Sequence, residues 1–273
     1  MKGVLLERMR VLSAQEGKGS TWTIWHSVSL LGILAAVFVV ELLPAPPRLW
    51  TWLSILALLG LFAVVAGHGV TGLWLGLLID TRNKVSLSRL QMVLWTLLIL
   101  SGFLAAVITN IDGGQPEPLS ISIPPELWLL MGISTASLVG SPLIVGIKKN
   151  RPASEDEKAR ALEQLARQAV DTDKVAIRGQ LVVNENAEAA RIADLFQGSE
   201  TGNAGQLDLG KLQMFFFTLV LHFAYGTALA ALFKTSGGKV SALPAMDTGM
   251  LALLGISHAG YLVNKALPHS ESA

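Results

Sequence analysis

Apolar residues in this chain arrive in six long blocks rather than at the spacing of an amphipathic helix. That pattern limits the fold more than any motif. A helix crossing a hydrocarbon core needs roughly 20 mainly apolar residues, and it satisfies its backbone polar groups internally. The blocks cover about 24–44, 50–79, 90–109, 126–147, 212–233 and 246–264. Only 15% of residues are charged, against about 25% in a typical soluble domain, so polar surface is too scarce to cover the chain in water. The expected fold class is an all-α integral membrane protein with six transmembrane helices and a small cytoplasmic insertion. The first block runs into Leu-Leu-Pro-Ala-Pro-Pro rather than a small-residue cleavage site, and reads as a span, not a cleaved signal. The second is long and reads as one tilted helix.

Orientation follows from where the basic residues fall. With a cytoplasmic N-terminus, only Arg48, Lys234 and Lys239 of the 21 Lys and Arg lie on the outer side. Both termini are then cytoplasmic, and the expected location is a bacterial inner membrane. The segments read as a cytoplasmic N-terminal stretch (1–23), a first helical hairpin (24–80), a repeat hairpin (85–149), a cytoplasmic insertion (150–208), a second repeat hairpin (209–267) and a tail (268–273). Trp22, Trp25, Trp74 and Trp95 fall near the inner ends and Trp50, Trp52 and Trp128 near the outer ends, at the headgroup depth that indoles favour.

Two hairpins share a pattern. Leu90-Gln91-Met92 with Thr96 recurs as Leu212-Gln213-Met214 with Thr218, and the returning helices carry Gly132-Ile133-Ser134 and Gly255-Ile256-Ser257. Gln91, Thr96, Gln213 and Thr218 form the repeat signature. Both copies enter from the same side, which predicts parallel repeats about an axis along the membrane normal. Small residues let helices approach closely, so Gly69, Gly72 and Gly76 on span two, and Gly132, Ser134, Gly255 and Ser257 near mid-bilayer, are the expected packing seams. The paired motifs resemble a group of bacterial inner-membrane proteins that join a Leu-Gln-x-x-x-Trp-Thr helix to a Leu-Gly-Ile-Ser helix. The likeness covers roughly 85–147 and 187–267, with Phe217 in place of the second Trp. It implies the hairpin architecture and carries over no catalytic residue.

The insertion opens with a capping-box pattern, Ser154 and Glu157, ahead of strong helix formers. Two short strands are expected about Arg178-Gly179. Asn186 is placed to cap a short helix with Ile192, Leu195 and Phe196 on one apolar edge, and residues 197–206 read as a flexible connector. About sixty residues make a marginal core, so the insertion is expected to dock on its own bundle, another subunit or a partner. Asp171 and Asp173 lack the spacing of a calcium loop.

Polar residues inside apolar blocks are costly and attract functional readings. Thr218, His222 and Tyr225 on span five, with Ser257, His258, Tyr261 and Asn264 on span six, form a candidate polar track from mid-bilayer to the cytoplasm. Its alternatives are a proton or ion pathway and plain interhelical bonding. The first repeat hairpin has Leu100, Phe103 and Thr135 at the corresponding places. His26 and Glu41 mark the ends of span one, and His68 lies mid-way along span two. Without Cys there are no disulfides or thiolate sites. The sequence has no phosphate loop, nucleophile elbow, dinucleotide fingerprint or His-x-x-x-His pair. It therefore reads as non-enzymatic, with no cofactor or metal, and a net charge of +1 gives no reason to expect nucleic acid. The expected function is a homo-oligomeric membrane scaffold or anchor. Its partners are lipid, further copies of itself and a cytoplasmic protein held through 155–200. The alternatives are an ion or proton channel, or a proton-coupled transporter, using the polar track.

Overall fold

The computed structural model describes residues 21–42 and 47–270. The basic residues Lys2, Arg8, Arg10 and Lys18, and the side chain of Glu41, lie outside the described residues. Seven α-helices follow among the described ones: α1 (Ile24–Leu42), α2 (Arg48–Thr71), α3 (Leu87–Asp112), α4 (Pro125–Lys149), α5 (Glu155–Arg167), α6 (Leu209–Thr235) and α7 (Thr248–Ala266). Strands β1 (Val175–Arg178) and β2 (Leu181–Asn184) pair antiparallel about Gly179, whose φ of 62° suits glycine. By length and composition α2, α3, α4 and α6 can cross a membrane. α1 carries a shorter apolar stretch, Ile24–Val40, and the polar side chains of α7 dilute its hydropathy.

α3 is the central helix, packed by α2, α4 and α6, while α7 covers α4 and α6. Contacts along α3 and α6 rise together, from Gln91 with Thr218 through Trp95 with His222 to Gly102 with Leu229, so the two helices run parallel. α4 and α7 do the same through Ser137 with His258 and Ser141 with Lys265. The shared core contains Trp52, Ile55, Trp95, Leu98, Leu130, Leu229 and Leu254. Trp25, Phe38, Leu143, Phe223 and Ile256 face outward, whereas Gln91, Ser101, Ser134, Ser137 and Thr218 are buried. Polar inside and apolar outside is the arrangement that lipid favours over water.

Several sequence expectations need correction. Trp95 and Trp52 are core residues, not headgroup anchors; Trp52 donates to Ser101 Oγ at 3.1 Å. Span two stops at Thr71, where Gly72 at φ 73° closes the helix with its N–H on His68 O. Leu73–Ile79 stays apolar but folds back as a 3-10 turn over Gly76–Leu78, so close that a Cβ on Gly67 would lie 2.8 Å from the Leu77 nitrogen. Gly72 and Gly76 are therefore turn residues and not a helical seam. Gly69 does make a close contact, since a Cβ there would meet the Trp22 ring at 2.6 Å. Gly132 faces open space, while Gly255 lies against Ile133 and both Ser134 and Ser257 are buried. His68 sits in the last turn of α2 rather than mid-span, with Nδ1 3.0 Å from His26 Nε2 and Trp74 against its ring.

In the insertion, Ser154 Oγ accepts from Glu157 N, and Asn186 Oδ1 accepts from Ala189 N to start a 3-10 turn. Leu195 points inward but Ile192 is 59% exposed, so the apolar edge is split. Residues 197–206 are far from a loose connector. Leu181 pairs with Glu200, Gln197 with Leu207 and Gly198 with Ala204, and both Val182 N and Thr201 N bond across to neighbouring strands of chain.

Candidate functional site

The densest polar chemistry lies where the insertion meets the bundle. A tight turn pairs Ile79 with Val85 and places Asn83 at φ 57°, a conformation asparagine tolerates. Within it Arg82 grips the Asp80 carboxylate through Nε (2.9 Å) and Nη2 (2.6 Å). Burial pushes the Asp80 carboxyl up, but the Arg82 charge and hydrogen bonds together outweigh it and hold the group below its ordinary value. Burial likewise works against the Arg82 charge, and Asp80 more than restores it. Lys84 fares differently. Burial drives its ammonium down to about 8, although Asp194 pulls the other way.

The turn is bolted to β2. Asn184 N donates to Arg82 O, Asn83 Nδ2 donates to Asn184 O at 2.9 Å, and Asn184 Nδ2 returns a bond to Asn83 O at 2.7 Å. Asp194 accepts from Val85 N and Arg191 N. Lys211, buried at the start of α6, donates to the carbonyls of Asp194 (3.2 Å) and Gln197 (2.5 Å), not to a carboxylate.

A second junction ties α4, the insertion and the tail. Lys148 Nζ meets Glu200 Oε1 at 2.5 Å and Leu267 O at 2.6 Å, with both side chains almost wholly buried. The other Glu200 oxygen accepts from His269 N. Thr201 Oγ1 reaches Ser270 Oγ at 2.9 Å and donates to Glu157 Oε2. The insertion thus docks on its own bundle.

The candidate polar track divides into two seams. Thr218 receives the Gln91 amide, His222 lies edge-on to Trp95 with ring centroids 5.4 Å apart, and Tyr225 donates to Pro244 O at 3.2 Å. On the other helix His258 Nδ1 is 2.6 Å from Ser137 Oγ, Tyr261 Oη accepts from Lys265, and Asn264 donates to Asp208. Among the described residues no hydrogen bond joins His222 to His258. The α3–α6 seam keeps Gln91 Oε1, Trp95 Nε1 and His222 Nδ1 without partners, and the α4–α7 seam keeps Ser134 Oγ, Ser257 Oγ and His258 Nε2. Of the repeat signature, Gln91 is buried, Thr96 bonds Met92 Sδ and Gln213 is exposed.

Sequence reasoning passed over Ser137 and Ser141, which share one buried face of α4 with the expected seam residue Ser134 at helical spacing. That serine run was the available signal. It also passed over Asp80, Lys148, Glu200 and Lys211 as functional candidates: nothing local marks the Lys148–Glu200 partnership across 52 positions, and Asp80 and Lys211 read as ordinary loop and helix-start charges. Among the described residues no three His, Asp or Glu side chains are grouped to hold a metal. No protein-family model, curated protein or solved structure matches this chain.

Proposed function

We propose that the protein is a membrane-embedded, non-enzymatic scaffold that holds its insertion in a fixed pose at the cytoplasmic face and engages a protein partner through it. The supporting observation is the junction of Lys148, Glu200 and the tail, which fastens the insertion to the bundle by buried polar contacts. A binding surface held on a rigid support loses little freedom when a partner arrives. In this reading α1 and α7 cross the bilayer with the four long helices, giving six spans. The two hairpins are parallel repeats, the membrane is a bacterial inner membrane, and outward apolar faces between copies support a homo-oligomer. α5 presents Asp156 and Arg160 to solvent.

The chain has no cysteine, so single cysteines at Asp156 and Arg160 can carry a short crosslinker in native membranes. A discrete adduct with another protein is the expected result, and the adduct from Asp156→Cys should be lost when Arg160→Glu is added. No adduct from either position on a folded, membrane-inserted chain would refute the scaffold.

The six unpartnered polar atoms in the two seams favour a second reading, a proton or ion path through the bundle. Its test is flux into liposomes holding the purified chain, with His222→Ala/His258→Ala as the comparison. Flux that disappears in the double variant would replace the scaffold reading. A folded protein that passes no ions eliminates the path.

A further inference from the structure

A pocket of about 370 Å³ opens beside the Asp80–Arg82 turn, between the first turns of α3 and the second half of α4. Met92, Val93, Leu138 and Val145 supply apolar walls, Ser86, Ser88 and Arg89 supply donors, and the Asp80 carboxylate, held by Arg82, also lines it.

α3 begins here with its N-terminal donors uncommitted. Ser86 is the N-cap residue, yet its side chain makes no capping bond, and the first turn holds no acidic residue. The amides of Leu87, Ser88 and Arg89 have no carbonyl one turn back to receive them, and the helix dipole favours an anion at that end. An independent observation points the same way. Ser88 is 1% exposed and lines the pocket, and its Oγ has no hydrogen-bond partner. A buried hydroxyl left unbonded costs about 1–3 kcal/mol, and an anionic oxygen would relieve it. Arg82 and Asp80 offset one another as an ion pair, which leaves Arg89 as the unpaired charge in the lining.

We propose that this pocket binds a phospholipid, with its phosphate on Ser88 Oγ, the first-turn amides of α3 and Arg89, and an acyl chain along Met92, Val93, Leu138 and Val145. Ser86, Ser88 and Arg89 offer donors at the polar end, and Arg82 occupies the Asp80 carboxylate there, which suits a group that only accepts. The apolar walls give an attached chain a place that a free anion would leave unfilled. The inference rests on α3 and α4 crossing the bilayer and is independent of the scaffold reading.

The test uses the full chain, purified and delipidated in a neutral detergent. Three probes are titrated and followed by native mass spectrometry and thermal melting: dioctanoyl phosphatidylglycerol, inorganic phosphate and dioctanoylglycerol. The phosphatidylglycerol is expected to bind one to one and raise the melting temperature. Ser88→Ala and Arg89→Gln should each weaken it about tenfold, as for a lost hydrogen bond to a charged group. Leu138→Trp should fill the apolar end and exclude the lipid. Arg89→Lys, which keeps the charge, should retain most of the binding and shows that loss in Arg89→Gln is not misfolding. Equal binding of dioctanoylglycerol would overturn the phosphate contact. Inorganic phosphate binding as tightly, and unaffected by Leu138→Trp, would make this a site for a soluble anion. No stoichiometric binding of any probe overturns the site.

Discussion

Gln91 donates its amide to Thr218 across the parallel α3–α6 seam, while Gln213, the counterpart of Gln91 in the repeated sequence, faces outward. Thr218 also donates to Met214 O at 2.8 Å, so its hydroxyl works in both directions. Interhelical hydrogen bonds in membrane proteins average about 0.6 kcal/mol. A double-mutant cycle of Gln91→Leu and Thr218→Val in a detergent unfolding assay should return a coupling of about that size. Gln213→Leu should change stability by less than about 0.5 kcal/mol, as an exposed substitution does. Equal effects at both glutamines would contradict the packing.

Lys84 makes stability depend on alkaline pH. Its folded value of about 8 lies below the ordinary lysine value of 10.5, because burial disfavours the ammonium; Asp194 and Asp80 pull it up, and Arg82 and Arg191 push it down. Between those values the unfolded chain binds more protons than the folded one, so stability rises as pH rises through the window. Below about pH 8 both states are protonated and the cost of burying the charge is complete, on the order of 3 kcal/mol. Lys84→Met should therefore be more stable than the parent at pH 7, with the difference shrinking towards pH 10. Denaturant titrations of both proteins at the two pH values measure it. A gain that does not change with pH would remove the charge as its cause.

Hydropathy marked most ends of the six apolar helices to within a few residues, because a helix satisfies the backbone polar groups of a long apolar run internally. It failed at Leu73–Ile79, where apolar residues continue past the end of α2. The stop comes from Gly72 taking a left-handed conformation and from Leu77 returning onto Gly67, and neither event changes hydropathy. Trp95 misled for a related reason: its general preference for the headgroup layer gave way to packing against His222 and Tyr225. The track residues were visible as polar positions in apolar helices, but the neighbours they face were not. His258 turns to Ser137, and Thr218 to Gln91. The clamp of the insertion was invisible, since its bonds join residues such as Asn83 and Asn184 across a hundred positions.

Two glycines of the expected seams should behave oppositely. A Cβ at Gly69 would meet the Trp22 ring at 2.6 Å, whereas one at Gly132 meets nothing within 4 Å. Gly132→Ala should stabilise α4 by about 0.5–1 kcal/mol, the usual benefit of alanine over glycine inside a helix. Gly69→Ala should push α1 away from α2 and raise the rate at which a protease cuts between them. Identical behaviour of the two variants would count against the observed packing of α1.

The Lys148–Glu200 pair separates two accounts of how the insertion is held. If hydrophobic contact alone fixed it, removing either charge would matter little. Both side chains are buried, and each also serves the tail, Lys148 through Leu267 O and Glu200 through His269 N. Removing one partner of a buried pair strands the other charge and costs about 3–5 kcal/mol, while replacing both by apolar groups of similar size can be close to neutral. Lys148→Met should therefore free the insertion and tail to proteolysis, and Lys148→Met/Glu200→Leu should recover part of the protection. Recovery should be incomplete, because the double variant still leaves His269 N without its acceptor. Limited proteolysis of the three proteins in detergent reads the order directly, and a double variant weaker than Lys148→Met would show that the junction depends on Glu200 alone.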